Sequence, residues 1–237
     1  MSSHRFSASD GVGLRYLTAG AAGSWVVLLH GRTESAERMW VSTRILDALA
    51  ADHRVAALDL RNHGESDKPG PGLDTRADDA IDLMDHLGID RAHIHGYSLG
   101  GVHALQLLAT APERFITAGL CGAGVIERDE GLRTAAAALD PLPPEGMDAP
   151  LFPSVEALID VLGVGVDLRS VGVPILCING EYDRPYSKTQ RLWREARTFH
   201  NIVLPGCDHL AACGFGTPIP PAYITATTGF IAMYDNA

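Results

Sequence analysis

The chain has 237 residues, 46% hydrophobic and 20% charged, and a formal net charge of −10. A chain of this mass exposes roughly 10,000 Å² when folded against roughly 36,000 Å² unfolded, which fits one sizeable core with a small insertion and excludes two large domains. The acidic balance excludes broad nucleic-acid binding and an anionic membrane surface as partner, because both demand a basic face.

The opening Met-Ser-Ser-His-Arg-Phe-Ser carries no apolar secretory run, and Trp25–Leu29 is too short to span a bilayer, so a cytoplasmic location is expected. Residues 5–8 and 14–17, separated by the turn dipeptide Asp10-Gly11, read as a hairpin. Short apolar runs follow at Trp25–Leu29, Val55–Leu58, Ala92–His95, Ile116–Leu120, Val173–Ile178 and Ile202–Leu204. Runs this apolar suit parallel strands buried on both faces. Between them, helical spacing recurs in Ile45, Leu46 and Leu49, and in Ala77, Ala80, Ile81, Met84 and Leu87, with Gly88 as a stop. The alternation predicts an α/β fold with an eight-stranded, mostly parallel sheet flanked by helices.

The pattern breaks at residue 122. Prolines 141, 143, 144, 150 and 153 forbid a central strand, and short helices are expected at Glu130–Ala138 and Ser154–Leu162. Residues 122–171 therefore read as a small lid insertion, with 1–121 and 172–237 forming the core. Val125, Leu139, Leu142, Met147, Phe152 and Leu158 are the expected inward face of that lid, giving a mostly apolar pocket. A closing helix is expected over Ala222–Met233.

The chemistry concentrates at Gly96-Tyr97-Ser98-Leu99-Gly100. Gly-x-Ser-x-Gly alone arises by chance in roughly one such chain in eight. Here it directly follows an expected strand and precedes the helical run Val102–Leu108, the setting of a strained nucleophile elbow. A serine hydroxyl needs a base, and the base needs an orienting acid. In elbow sites these follow in the order serine, acid, histidine. Asp183 lies after the strand ending at Ile178, and His209 lies after the next strand, on the same sheet edge as Ser98. Glu181 and Asp208 compete for the acid role: the first lies nearer the strand end, the second is adjacent to His209 and badly placed to face its ring. Backbone N–H groups of Leu99 and of Arg32, in the loop His30-Gly31-Arg32-Thr33, are the expected oxyanion donors. The Arg32 side chain has two readings, solvent or a bidentate grip on a substrate carboxylate, and solvent is the expectation.

With these blocks in order, the chain resembles α/β-hydrolase-fold enzymes of the serine-nucleophile branch over almost its full length. His30-Gly31, the run from Asp59 to Ser66, Gly96 to Gly101, Asp183 and His209 carry the resemblance. The Asp59–Ser66 block is similar to the family's Asp-x-Arg-Gly-His-Gly-x-Ser turn, with Asn62 in place of a glycine. In that reading His30 and His63 are structural. A serine at the elbow disfavours the epoxide-hydrolase and haloalkane-dehalogenase branches. The oxyanion loop lacks the glycine-rich stretch of the meta-cleavage C–C hydrolases, and the lid is shorter than the usual cap.

The resemblance implies a serine hydrolase cleaving a small ester, lactone or thioester through an acyl-enzyme. Acyltransferase, lyase or cyclase chemistry on the same triad is the alternative, and a non-turnover ligand receptor is the second. A small-molecule substrate is the expected partner, with no cofactor and no metal. His93 and His95 share a strand face but have no third ligand at metal spacing. The cysteines at 121, 177, 207 and 213 form no Cys-x-x-Cys pair and read as free thiols, a Cys207–Cys213 bridge being the minor reading.

Overall fold

The computed structural model describes residues 1–70, 76–125 and 165–235. Eight strands form one sheet: β1 (Ser2–Ser7), β2 (Gly13–Ala19), β3 (Trp25–Leu29), β4 (Arg54–Leu58), β5 (Ala92–Tyr97), β6 (Phe115–Cys121), β7 (Ile175–Gly180) and β8 (Phe199–Leu204). Their spatial order is β1-β2-β4-β3-β5-β6-β7-β8. The β1–β2 and β2–β4 pairings are antiparallel, and every other pairing is parallel. The eight-stranded, mostly parallel α/β sheet expected from the sequence is thus the observed one.

Strand alternation divides the core in two. Val27 and Leu29 of β3, with Ala56 and Leu58 of β4, face one cluster; Val26, Leu28, Val55 and Ala57 face the other. The first cluster is covered by α2 (Asp79–His86) and α3 (Leu99–Thr110), with Leu83, Met84, Leu105 and Leu108 packed into it. The second lies under α1 (Ile45–Ala50) and α5 (Pro221–Tyr234) through Leu46, Leu49, Tyr223 and Phe230. Because both faces are covered, the inner strands read as continuous apolar runs. Gly88 ends α2 with φ +66°, as expected of a helix stop.

Three features differ from the sequence reading. The strand expected at 173–178 is β7 at Ile175–Gly180, because Pro174 has no N–H to give the ladder. α4 (Pro185–Glu195) gave no apolar pattern, since it buries only Thr189 and Leu192. A π-helical turn at Glu37–Val41 was likewise not anticipated. All four cysteines are free, so the Cys207–Cys213 bridge is not formed. The helices expected at 130–138 and 154–162 lie outside the described residues. No helix among the described residues is long and apolar enough to cross a membrane.

Candidate active site

Ser98 occupies the turn between β5 and α3 with φ +53° and ψ −114°, a conformation costing roughly 1–3 kcal/mol for a side-chain-bearing residue. Neighbouring structure holds it there. Its N–H donates to Cys121 O at 2.7 Å, and its carbonyl accepts from Val102 N at 3.0 Å. The turn closes only without side chains at its glycines. A Cβ on Gly96 would lie 2.1 Å from Gly100 O, and one on Gly100 would lie 2.0 Å from Leu29 O. Ser98 itself stays half-exposed.

His209 comes from the loop after β8 and brings Nε2 to 3.0 Å from Ser98 Oγ. Its Nδ1 lies 2.7 Å from Asp183 Oδ2. Carboxylate oxygens only accept, so Nδ1 carries the proton and Nε2 is free to accept from the Ser98 hydroxyl. Asp183 sits in the tight turn after β7, where its N–H donates to Gly180 O at 3.0 Å. The rival acids serve their own loops: Glu181 Oε2 accepts from Gly206 N at 2.8 Å, and Asp208 Oδ1 accepts from Leu210 N and Ala211 N. The structure therefore brings together the three residues expected from the sequence.

Two further residues shape this cluster. Tyr97 is 1% exposed, and its hydroxyl donates to the His209 carbonyl, pinning the loop that carries the imidazole. Lys188 on α4 places Nζ 2.6 Å from Asp183 Oδ1. Burial works to raise the Asp183 carboxyl, but hydrogen bonding and charge from His209, joined by Lys188, outweigh it and hold the group below its ordinary range. Burial also pushes the Lys188 ammonium down, against the pull of Asp183. The sequence reading missed both residues. The available signals were the tyrosine inside the elbow motif and a lone lysine in an otherwise arginine-rich segment.

The oxyanion loop lies against the serine. A Cβ on Gly31 would meet Ser98 Cβ at 3.4 Å, so the chain leading into Arg32 packs against the Ser98 side chain. Leu99, the other expected donor, is the first residue of α3. The Arg32 side chain does not extend into solvent as expected. It is half-buried, and burial lowers the guanidinium from its ordinary value. Behind the loop, His30 Nε2 accepts from Leu60 N at 3.0 Å, so Nδ1 donates to Gly31 O at 2.8 Å. Asp59 Oδ1 accepts from Ala36 N at 2.7 Å, and its Oδ2 accepts from Glu65 N at 3.0 Å. The Asp59–Ser66 turn thus braces the loop from behind. It explains two sequence features: Asn62 has φ +66°, a conformation asparagine tolerates better than most residues, and a Cβ on Gly64 would meet Asp59 Oδ2 at 2.3 Å.

Beside the loop runs a groove of about 210 Å³ lined by Glu34, Arg38, Met39, Thr43, Cys213 and Phe215. Among the described residues, none of those expected to line the lid pocket borders it. Val125 is buried in the core cluster that contains Leu99, while Leu139, Leu142, Met147, Phe152 and Leu158 lie outside the described residues. His93 and His95 do not meet over a shared ligand: the first bonds Thr117 Oγ1 at 2.8 Å and the second Tyr223 Oη at 2.8 Å.

Comparison with known proteins places the chain among relatives of one fold. A family model described as alpha/beta hydrolase fold matches residues 24–163. Over 119 residues the chain is 35% identical to the dihydrolipoyllysine-residue acetyltransferase component of the acetoin cleaving system of Cupriavidus necator, covering 49% of this chain and 31% of that protein. It is 27% identical to the putative 2-succinyl-6-hydroxy-2,4-cyclohexadiene-1-carboxylate synthase of Bacillus subtilis, covering 78% of this chain and 84% of that one. Among solved structures, an esterase from a Rhodococcus species is 26% identical with a TM-score of 0.72, covering 99% of this chain and 100% of that one. The chain spans about a third of the length of three curated relatives it matches, at 31%, 30% and 34%.

Proposed function

On the premise that the chain belongs to the alpha/beta hydrolase fold family, we propose that it is a serine hydrolase cleaving a small ester, lactone or thioester through an acyl-enzyme on Ser98. The observation that carries this reading is the continuous chain from Ser98 Oγ through His209 to Asp183, at 3.0 and 2.7 Å.

In the proposed reaction His209 Nε2 takes the Ser98 proton as Oγ attacks the substrate carbonyl. Asp183 holds the tautomer and stabilises the imidazolium. The N–H groups of Leu99 and Arg32 receive the developing oxyanion. Collapse breaks the bond to the leaving group, which departs with the proton held by His209. Water then repeats the sequence on the acyl-enzyme, giving the free acid and restoring Ser98.

A fluorophosphonate probe tests it. Wild type takes up one label at Ser98, and Ser98→Ala takes up none; an unlabelled wild type overturns the proposal. The kinship with an acetyltransferase component and a putative synthase favours, as second reading, transfer or lyase chemistry on the same serine. Sustained release of free acid from short esters and lactones separates the two.

A further inference from the structure

Lys188 is one of two lysines in the chain, and the structure puts it at the back of the proposed triad. Its ammonium lies 2.6 Å from Asp183 Oδ1 and donates to Gly122 O at 3.1 Å. The Lys188 and Asp183 side chains are only 12% and 11% exposed, so solvent screens their contact little. The Lys188 carbonyl accepts from Val125 N at 2.9 Å, and a Cβ on Gly124 would strike that carbonyl at 2.3 Å. One residue of α4 is therefore fastened both to the acid and to the segment 122–125.

The two oxygens of Asp183 are divided, Oδ2 for His209 and Oδ1 for Lys188. We propose that Lys188 is a positioning residue: its ammonium fixes the carboxylate rotamer, offsets part of the charge Asp183 presents to His209, and keeps the imidazole uncharged and able to accept a proton at lower pH. This rests on the reading of Ser98, Asp183 and His209 as a triad.

Other groups facing the pair do not supply this effect. Cys177 from β7 and Tyr97 from β5, with Cys121 and Cys213 behind it, are pushed up by burial and stay neutral across the working range. Arg184, at the start of α4, is exposed and screened by solvent. Asp183 is the anion this cation opposes, and removing the cation lets an imidazolium form more readily beside it.

The test compares wild type, Lys188→Gln and Lys188→Arg. Gln keeps a donor without charge, and Arg keeps the charge. Histidine NMR follows the pH at which the His209 ring gains its second proton, and fluorophosphonate labelling rates give the acid limb of reactivity. In Lys188→Gln both move upward by about half to one pH unit, and labelling at the acid end slows several-fold. Lys188→Arg stays with wild type. Coincident NMR titrations of wild type and Gln overturn the inference. So do equal displacement in Gln and Arg, or loss of the fold in both, since each assigns Lys188 to packing alone. If wild type takes no label, the proposed function fails, while the NMR comparison still decides the role of Lys188.

Discussion

Asp183→Asn has a specific consequence here because of what stands behind the acid. In the proposed triad Oδ1 receives Lys188 at 2.6 Å and Oδ2 receives His209 at 2.7 Å. An asparagine keeps one oxygen and gains an NH2. Lys188 has only donors, so the amide oxygen turns toward it and the NH2 faces His209 Nδ1. Nδ1 must then accept, the ring proton moves to Nε2, and the nitrogen 3.0 Å from Ser98 Oγ can no longer take the hydroxyl proton. A wrong tautomer of this kind costs about 10⁴ in kcat. At 1.36 kcal/mol per tenfold, that is about 5.4 kcal/mol of transition-state stabilisation. Adding Lys188→Met removes the donor that fixes the amide. The oxygen can then face Nδ1–H, and the tautomer returns without the carboxylate charge, so about 10- to 100-fold of the loss is recovered. The assay is kcat on a short activated ester, with circular dichroism as fold control. A single variant within tenfold of wild type refutes the role of Asp183. A folded double variant no faster than the single refutes the argument from amide orientation.

Arg61→Leu removes the guanidinium that grips Asp79 through bonds of 2.7 and 2.6 Å, leaving a carboxylate that is 1% exposed and already raised by burial. A loss of about 3–5 kcal/mol is expected, or about 6–20 °C in Tm, measured by thermal denaturation; a shift under 2 °C contradicts it. Burial lowers His30, His95 and His103 from 6.5 to about 4, and His63 to about 3. Below pH 6.5 the unfolded chain therefore binds protons that the folded one refuses. Stability is full above 6.5 and falls as pH drops toward 4, by up to about 1.4 kcal/mol per unit per histidine. Urea midpoints at pH 7, 6 and 5 measure this, and a flat series refutes it. Of the four thiols only Cys207 is not buried, so native protein should react with a thiol reagent once quickly and three times slowly. Two or more fast thiols would contradict the packing.

The parts of the fold governed by strong local rules were legible. β3 and β4 announce themselves because alternate residues of each enter two different cores, leaving no polar position between. Ser98, Asp183 and His209 were legible for another reason: a serine elbow needs a base and an orienting acid, and elbow folds place them in the order serine, acid, histidine, each after a strand. α4 was not, because a helix that buries Thr189 and Leu192 leaves almost no hydrophobic trace. Lys188 was hidden with it, since its importance comes from a contact with Asp183 that only the turn after β7 creates. The solvent expectation for Arg32 followed the habit of arginines in general. It failed because the loop holding this one is folded back against the elbow.

The bond between His209 and Ser98 joins residues 111 positions apart. His209 follows β8 and Asp183 follows β7, so this contact requires both strands to be docked, β7 beside β6 and β8 beside β7. In the proposed triad Ser98 therefore precedes both its acid and its base in the chain, and has no base until the turns after β7 and β8 are in place. Reactivity toward an acyl probe therefore reports the docking of β7 and β8, the last two of the eight strands, and recovery of labelling during refolding should lag behind recovery of secondary structure.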